Sequence, residues 1–203
     1  TSATTADISW TGGGASNWNI EYGTAGFTQG TGTMVNSTST TYSVTGLTSN
    51  LAYEFYVRDS CAVGDVSTWA GPFRFGSQIT PCEDFEIYTP GPVDEQSVFI
   101  NGWAGTGDAT ISTDFANSGM NSLKIESGDD VVAEPGLYTT GIWNVSTAFY
   151  IPQGFGGYYN MLHNYDISGT GNEWAFEVDF DASGTATVVE NSAGSTIGTF
   201  SYN

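Results

Sequence analysis

Leu51-Ala52-Tyr53-Glu54-Phe55-Tyr56-Val57-Arg58 is the longest alternating run in the chain, and its reading decides the fold. A period of two is the mark of a strand whose two faces meet different surroundings. Working outward, Ala6-Asp7-Ile8-Ser9-Trp10 alternates as well, with Ile8 and Trp10 pointing away from Asp7 and Ser9. Gly12-Gly13-Gly14 then turns the chain, and Trp18-Asn19-Ile20-Glu21-Tyr22 and Thr41-Tyr42-Ser43-Val44 supply further strands. Helical periodicity is nearly absent throughout. Short runs rich in Thr, Val, Tyr and Phe are broken by Gly, Ser, Asn and Asp at intervals of about ten residues, the pattern of sandwiches and barrels. The expectation is an all-β chain of two tandem β-sandwiches, residues 1–78 and 79–203, with Gly76-Ser77-Gln78 and Pro81 interrupting the strand-rich stretches between them.

Charge narrows the function classes. Only Arg58, Arg74 and Lys124 oppose 22 acidic residues, for a formal net charge of -19. Such a chain has no electrostatic footing on nucleic-acid phosphates or on an anionic membrane. Its natural counterions are metal cations, and carboxylates with carbonyls favour calcium. No apolar run approaches the ~20 residues of a membrane-spanning helix, so membrane insertion is not expected. With 39% hydrophobic and 14% aromatic residues, the chain has the material for folded cores. Cys61 and Cys82 flank the end of the first expected domain and the start of the second, and a disulfide between them would suit an oxidising exterior.

The run from Leu47 through the Tyr53-Glu54-Phe55-Tyr56-Val57 strand, the early-strand Trp and the closing Ser67-Thr68-Trp69-Ala70-Gly71-Pro72 stretch resemble fibronectin type III modules. The resemblance covers residues 1 to about 76, with little room for a first strand ahead of the Trp-bearing one. It implies that Tyr53 is a corner tyrosine whose hydroxyl bonds back to the backbone. The second segment opens on Cys82-Glu83-Asp84-Phe85-Glu86 and carries Gly119-Met120-Asn121-Ser122-Leu123-Lys124-Ile125. Both elements look like those of MAM-type and carbohydrate-binding-module jelly rolls, a concanavalin-like architecture. Their order after the first module resembles secreted and cell-surface proteins of gliding, polysaccharide-degrading bacteria. The resemblance implies secretion, adhesion or carbohydrate binding, and a last strand beyond Asn203, so that the chain is a piece of a longer protein. It also implies a structural calcium held by Glu86 and Asp84, with Asn121 and Asp108 or Asp114 near.

Glycan recognition rests on aromatic rings presented by a rigid sheet beside hydroxyl-bonding groups. Alternation places Trp174, Phe176, Val178 and Phe180 on a core face. It also sets Tyr159, Met161, His163 and Tyr165 against Tyr158, Asn160, Leu162 and Asn164, and either set can line a cleft. The expected ligand site combines Tyr159, His163 and Tyr165 with Glu173 and Glu177 of the adjacent strand. The expected ligand is a polysaccharide or cell-surface glycan. Two rivals stand beside it. One is a structural subunit whose open C-terminal edge pairs with other chains of the same protein by strand addition. The more distant one is a laminarinase-like glycoside hydrolase, suggested by Glu177, Asp179 and Asp181 on one face of a strand. Asp179 through Glu190 matches EF-hand spacing, but strands flank it, and Asp181-Ala182-Ser183-Gly184-Thr185 is expected to be a hairpin turn.

Overall fold

The computed structural model describes residues 3–62, 64–77, 82–103, 109–135, 140–166, 170–190 and 194–202. The fold is all-β, and every strand pairing among the described residues is antiparallel. Contacts divide the chain into two compact units, Thr1–Gly141 and Ile142–Asn203. The first unit holds β1 (Thr5–Ser9), β2 (Trp18–Thr24), β3 (Thr33–Ser37), β4 (Thr41–Thr45), β5 (Ala52–Ala62), β6 (Asp65–Val66) and β7 (Ala70–Gly76). It continues with β8 (Gly91–Pro92), β9 (Ile100–Gly102), β10 (Thr110–Ser112), β11 (Ser122–Lys124) and β12 (Val131–Ala133). The second unit holds β13 (Gly157–Asn164), β14 (Glu173–Asp181), β15 (Thr185–Glu190) and β16 (Ser195–Ser201).

In the first unit β1 pairs with β4, while β2 lies between β3 and β5, and β5 also carries β6 and β7. The alternation explains the core directly. Ala6 and Ile8 of β1, Ile20 of β2, Val44 of β4, and Phe55 and Val57 of β5 are buried together, with Trp18 closing one end. The Tyr53 hydroxyl accepts the Thr48 N–H at 3.0 Å, as expected of a corner tyrosine. Glu21 is only 1% exposed, and its carboxylate accepts the backbone N–H groups of Gly30 and Gly32 at 2.7 and 2.8 Å. That carboxylate organises the β2–β3 connection from inside, since a buried charge persists only when its lone pairs are taken up.

A second core lies beyond residue 82 in the same unit: Tyr88, Val93, Phe99, Ile100, Ala109 and Ile111. Small sheets frame it, β8–β10–β11 and β9–β12. A polar joint binds this region to the start of β5. The Val98 N–H donates to Asn50 O and the Ala52 N–H to Gln96 O, both at 2.8 Å, around a bridge between Leu51 and Ser97. The Arg74 guanidinium donates to Asp94 O and, at 2.8 Å, to Ser97 O. At the centre the Tyr88 hydroxyl sits 2.9 Å from Glu83 Oε2 and 3.0 Å from Ser97 Oγ. The Asn50 side-chain amide donates to the same Glu83 oxygen at 3.0 Å. Burial in this joint pushes the Tyr88 phenol well above its ordinary pKa, with the Glu83 charge adding to the shift.

The second unit is a single sheet in the order β13–β14–β15–β16. Its core is small: Val178, Phe180 and Ala186, with Ile151, Tyr159, Phe176, Val188 and Tyr202 packed against them. The β14–β15 connection is the expected hairpin turn. Asp181 Oδ1 accepts the Ser183 N–H at 2.7 Å, Asp181 O accepts the Gly184 N–H at 2.9 Å, and Gly184 adopts φ 92°. The Ser183 hydroxyl, and after it the Ser183 N–H, hold the Asp181 carboxyl below the usual aspartate range by hydrogen bonding to it.

Candidate binding face

The register of the second unit sorts its side chains into two faces, because residues directly opposite in neighbouring strands share a face. Tyr159 lies opposite Val178, which lies opposite Val188. Tyr159 therefore belongs to the apolar face, where its ring meets Phe149 at 5.1 Å and Phe176 at 6.1 Å. The other face is polar. One of its rows runs Tyr158, Asp179, Thr187 and Thr199, and the next runs Asn160, Glu177 and Val189. Tyr158 is 58% exposed and Asp179 is exposed, whereas Glu177, Asn160 and Thr187 are half-buried. Neighbours within a row, on adjacent strands, stand about 4.8 Å apart, and successive rows lie about 6.7 Å apart along the strands. The result is a flat grid of one phenol ring, two carboxylates, an amide and hydroxyls.

The expected ligand residues are thus divided. Glu177 stands on this polar face, and Tyr159 on the opposite one. His163 is exposed and is skipped in the pairing, a bulge between the Leu162–Trp174 and Asn164–Glu173 pairs. Glu173 is exposed opposite Asn164, and Tyr165 is half-buried beyond the end of β13. Tyr158, Asn160, Asp179 and Thr187 take the places beside Glu177. Alternation separates Tyr158 from Tyr159 but does not say which one faces Glu177; only the β13–β14 register does.

The residues nominated for calcium are also only partly brought together. Glu86 Oε1 accepts the N–H groups of Met120 and Asn121 at 2.9 and 2.8 Å. The Asn121 amide donates to Phe85 O and Tyr88 O at 3.2 and 3.1 Å. Gly119, at φ 64°, lets this loop close on Glu86, because a Cβ there would run into the carboxylate. Asp84 caps the N–H of Glu86 at 3.2 Å. Asp114 lies instead 3.7 Å from Lys124, which is 3.2 Å from Glu126. Asp108 falls outside the described residues. Among the described residues no three His, Cys, Asp or Glu side chains converge as a metal would require. In its present hydrogen bonding the Glu86–Asn121 pair is a loop clasp, with an amide nitrogen facing the carbonyls that a cation would need.

Cys61 and Cys82 are both free and exposed. Their separation follows from β5. The Cys82 carbonyl lies 3.4 Å from the Asn50 amide, just ahead of the strand, whereas Cys61 is near its far end. A strand of that length at about 3.3 Å per residue puts the two roughly 35 Å apart, far beyond disulfide reach. The structure therefore corrects the expected Cys61–Cys82 bridge: β7 runs back antiparallel along β5 between them and carries Cys82 to the opposite end of the strand from Cys61. In comparisons with known proteins, no family model matches this chain and no curated protein matches it.

Proposed function

We propose that the chain is a non-catalytic, extracellular carbohydrate-binding segment, and that the polar face of the β13–β16 sheet takes the glycan. The observation that carries this reading is the register placing Tyr158, Asn160, Glu177, Asp179 and Thr187 side by side toward solvent. A flat grid with one exposed ring suits a sugar chain, whose apolar faces stack while its hydroxyls donate to carboxylates and exchange hydrogen bonds with amide and hydroxyl groups. The net charge of -19 favours neutral glycans over polyuronates. Calcium enters the proposal as a structural ion at the Glu86 loop: with the Asn121 amide turned over, its oxygen, the carbonyls of Phe85 and Tyr88 and the Glu86 carboxylate would be the oxygen donors.

The test is a neutral-polysaccharide array followed by affinity electrophoresis. Tyr158→Ala and Glu177→Gln are expected to weaken binding about tenfold each, the loss of a contact of ~1.4 kcal/mol. An intact chain that binds no polysaccharide, or binds with both substitutions unfelt, overturns the reading. Turnover of β-glucans by the same samples would replace binding with hydrolysis. Calorimetry with calcium, repeated on Glu86→Gln, tests the ion separately.

A further inference from the structure

The outer edge of β16 combines features that point to self-association. All seven of its residues, Ser195-Thr196-Ile197-Gly198-Thr199-Phe200-Ser201, are exposed. Among the described residues the strand pairs only with β15. Edge strands are normally guarded by charge or proline against pairing with another chain. β7 has such guards in Pro72 and Arg74, but β16 has none. Within the same sheet the charge sits on β14, two strands away, which carries Glu173, Glu177, Asp179 and Asp181.

The direction of the backbone groups follows from one hydrogen bond. The Tyr202 N–H donates to Gly184 O at 2.9 Å. Because ladder bonds alternate along an antiparallel strand, Phe200 and Gly198 also turn their groups toward β15, and Thr199 and Ser201 turn theirs outward. Gly198 adds a second observation. A Cβ at Gly198 would meet nothing within 4 Å, and its φ is not among the positive ones. The glycine sits beside a bulge, one of the places where strands carry glycine, and with no side chain it also leaves the backbone open to close approach from the outer edge. The register shift that leaves Ile197 as an extra residue lies beside it and confines regular pairing to a short stretch.

We propose that β16 pairs antiparallel with β16 of a second copy about a twofold axis at Gly198, making one continuous sheet of the two four-stranded ones. Gly198 faces its copy as a non-hydrogen-bonded pair, the closest pairing in an antiparallel ladder at about 4.5 Å between Cα atoms. Thr199 faces Ile197 of the copy, and Phe200 faces Thr196. The strip itself is uncharged, so two copies can meet along it with no like-charge contact, while the -19 carried by each copy opposes the dimer from a distance and is open to screening by salt.

Light scattering after size exclusion, over a range of protein concentrations, is the test. The intact chain is expected to move from 21.5 kDa toward twice that mass as concentration rises. Added salt should strengthen the dimer by screening two charges of -19. Thr199→Pro removes an outward N–H and no bond to β15, so the dimer should be lost while the circular dichroism of the sheet persists. Ile197→Glu, at an exposed bulge, should weaken dimerisation at least tenfold and keeps the test decisive if the proline variant misfolds. A monomer at every concentration, a dimer weakened by salt, or a dimer unaffected by either substitution overturns the proposal.

Discussion

Tyr88→Phe probes the joint that fastens the second core to the start of β5. The side chain is 4% exposed, and its hydroxyl lies 2.9 Å from Glu83 Oε2, 3.0 Å from Ser97 Oγ and 3.4 Å from Asn50 O. Ser97 is fully buried, and its Oγ already accepts the N–H groups of Phe99 and Ile100 at 3.0 Å each. The phenol donates to the Glu83 carboxylate, which leaves its oxygen as the acceptor for the Ser97 proton. Phenylalanine removes both bonds and leaves Ser97 with a buried, unpaired donor. A hydrogen bond to a charged group is worth about 1.5–3 kcal/mol, and an orphaned buried donor costs about 1–3 kcal/mol. Because these two figures overlap in one network, the expected loss is about 3 kcal/mol. For a cooperative unit of this size that is a fall in Tm of roughly 6–12 °C.

Differential scanning calorimetry on the intact chain and the variant measures it. The pH dependence gives a second readout. The folded-state pKa of Tyr88 is raised, so the folded chain holds that proton more tightly than the unfolded one. Its stabilisation is complete below the ordinary tyrosine value of 10.0 and is lost progressively as pH rises from there toward the raised folded value. The wild type should therefore lose stability above pH 10 more steeply than Tyr88→Phe. A Tm change under about 1 °C, or parallel alkaline profiles, would refute the network as described.

Both amides donate to Glu21 Oε1, so Glu21→Gln can keep its carbonyl oxygen on Gly30 and Gly32, but it makes those bonds uncharged and puts an NH2 in the buried place of Oε2, and should cost about 2 kcal/mol by chemical denaturation. Tyr53→Phe strips the Thr48 N–H of its acceptor at a partly solvated corner, and about 1 kcal/mol is expected from the same assay. Gly32→Ala should be worse than either, since its Cβ would fall 2.7 Å from the Tyr22 carbonyl and against the Phe27 ring, with hydrogen exchange of the β2–β3 connection as the measure. Asp181 has a lowered folded-state pKa, so its contribution is present above pH 3.8 and fades as pH falls through the folded value. Carboxyl NMR titration should show it as a late-titrating aspartate, and Ser183→Pro, which deletes both the hydroxyl and the N–H that bond to it, should return it to the ordinary range.

What could be read from the chain was local. The Leu51–Arg58 alternation places β5 and its core residues Phe55 and Val57, and the Tyr53 hydroxyl bond and the hairpin at Asp181–Gly184 follow from short patterns with a direct steric cause. The candidate face needed one further quantity, the β13–β14 register, because shifting a strand by one residue exchanges its faces. Bulges at the end of β13 then detach His163 from the alternation that had grouped it with Tyr159. Glu86 and Asn121 do meet, but through amide hydrogen bonds that composition does not foretell. The joint left no pattern at all. Asn50, Glu83, Tyr88 and Ser97 are ordinary polar residues whose meeting depends on how residues 94–98 fold back along the strand.

That joint has a consequence for proteolysis. Residues Asn50 and Ala52 on one side and Gln96 and Val98 on the other are held by backbone hydrogen bonds, with Arg74 tying β7 to Asp94 and Ser97. The covalent link between Ser77 and Cys82 is then one of several ties between the two cores. A chain nicked anywhere in that interval should migrate as a single species in native gels and fall into two fragments only in denaturant.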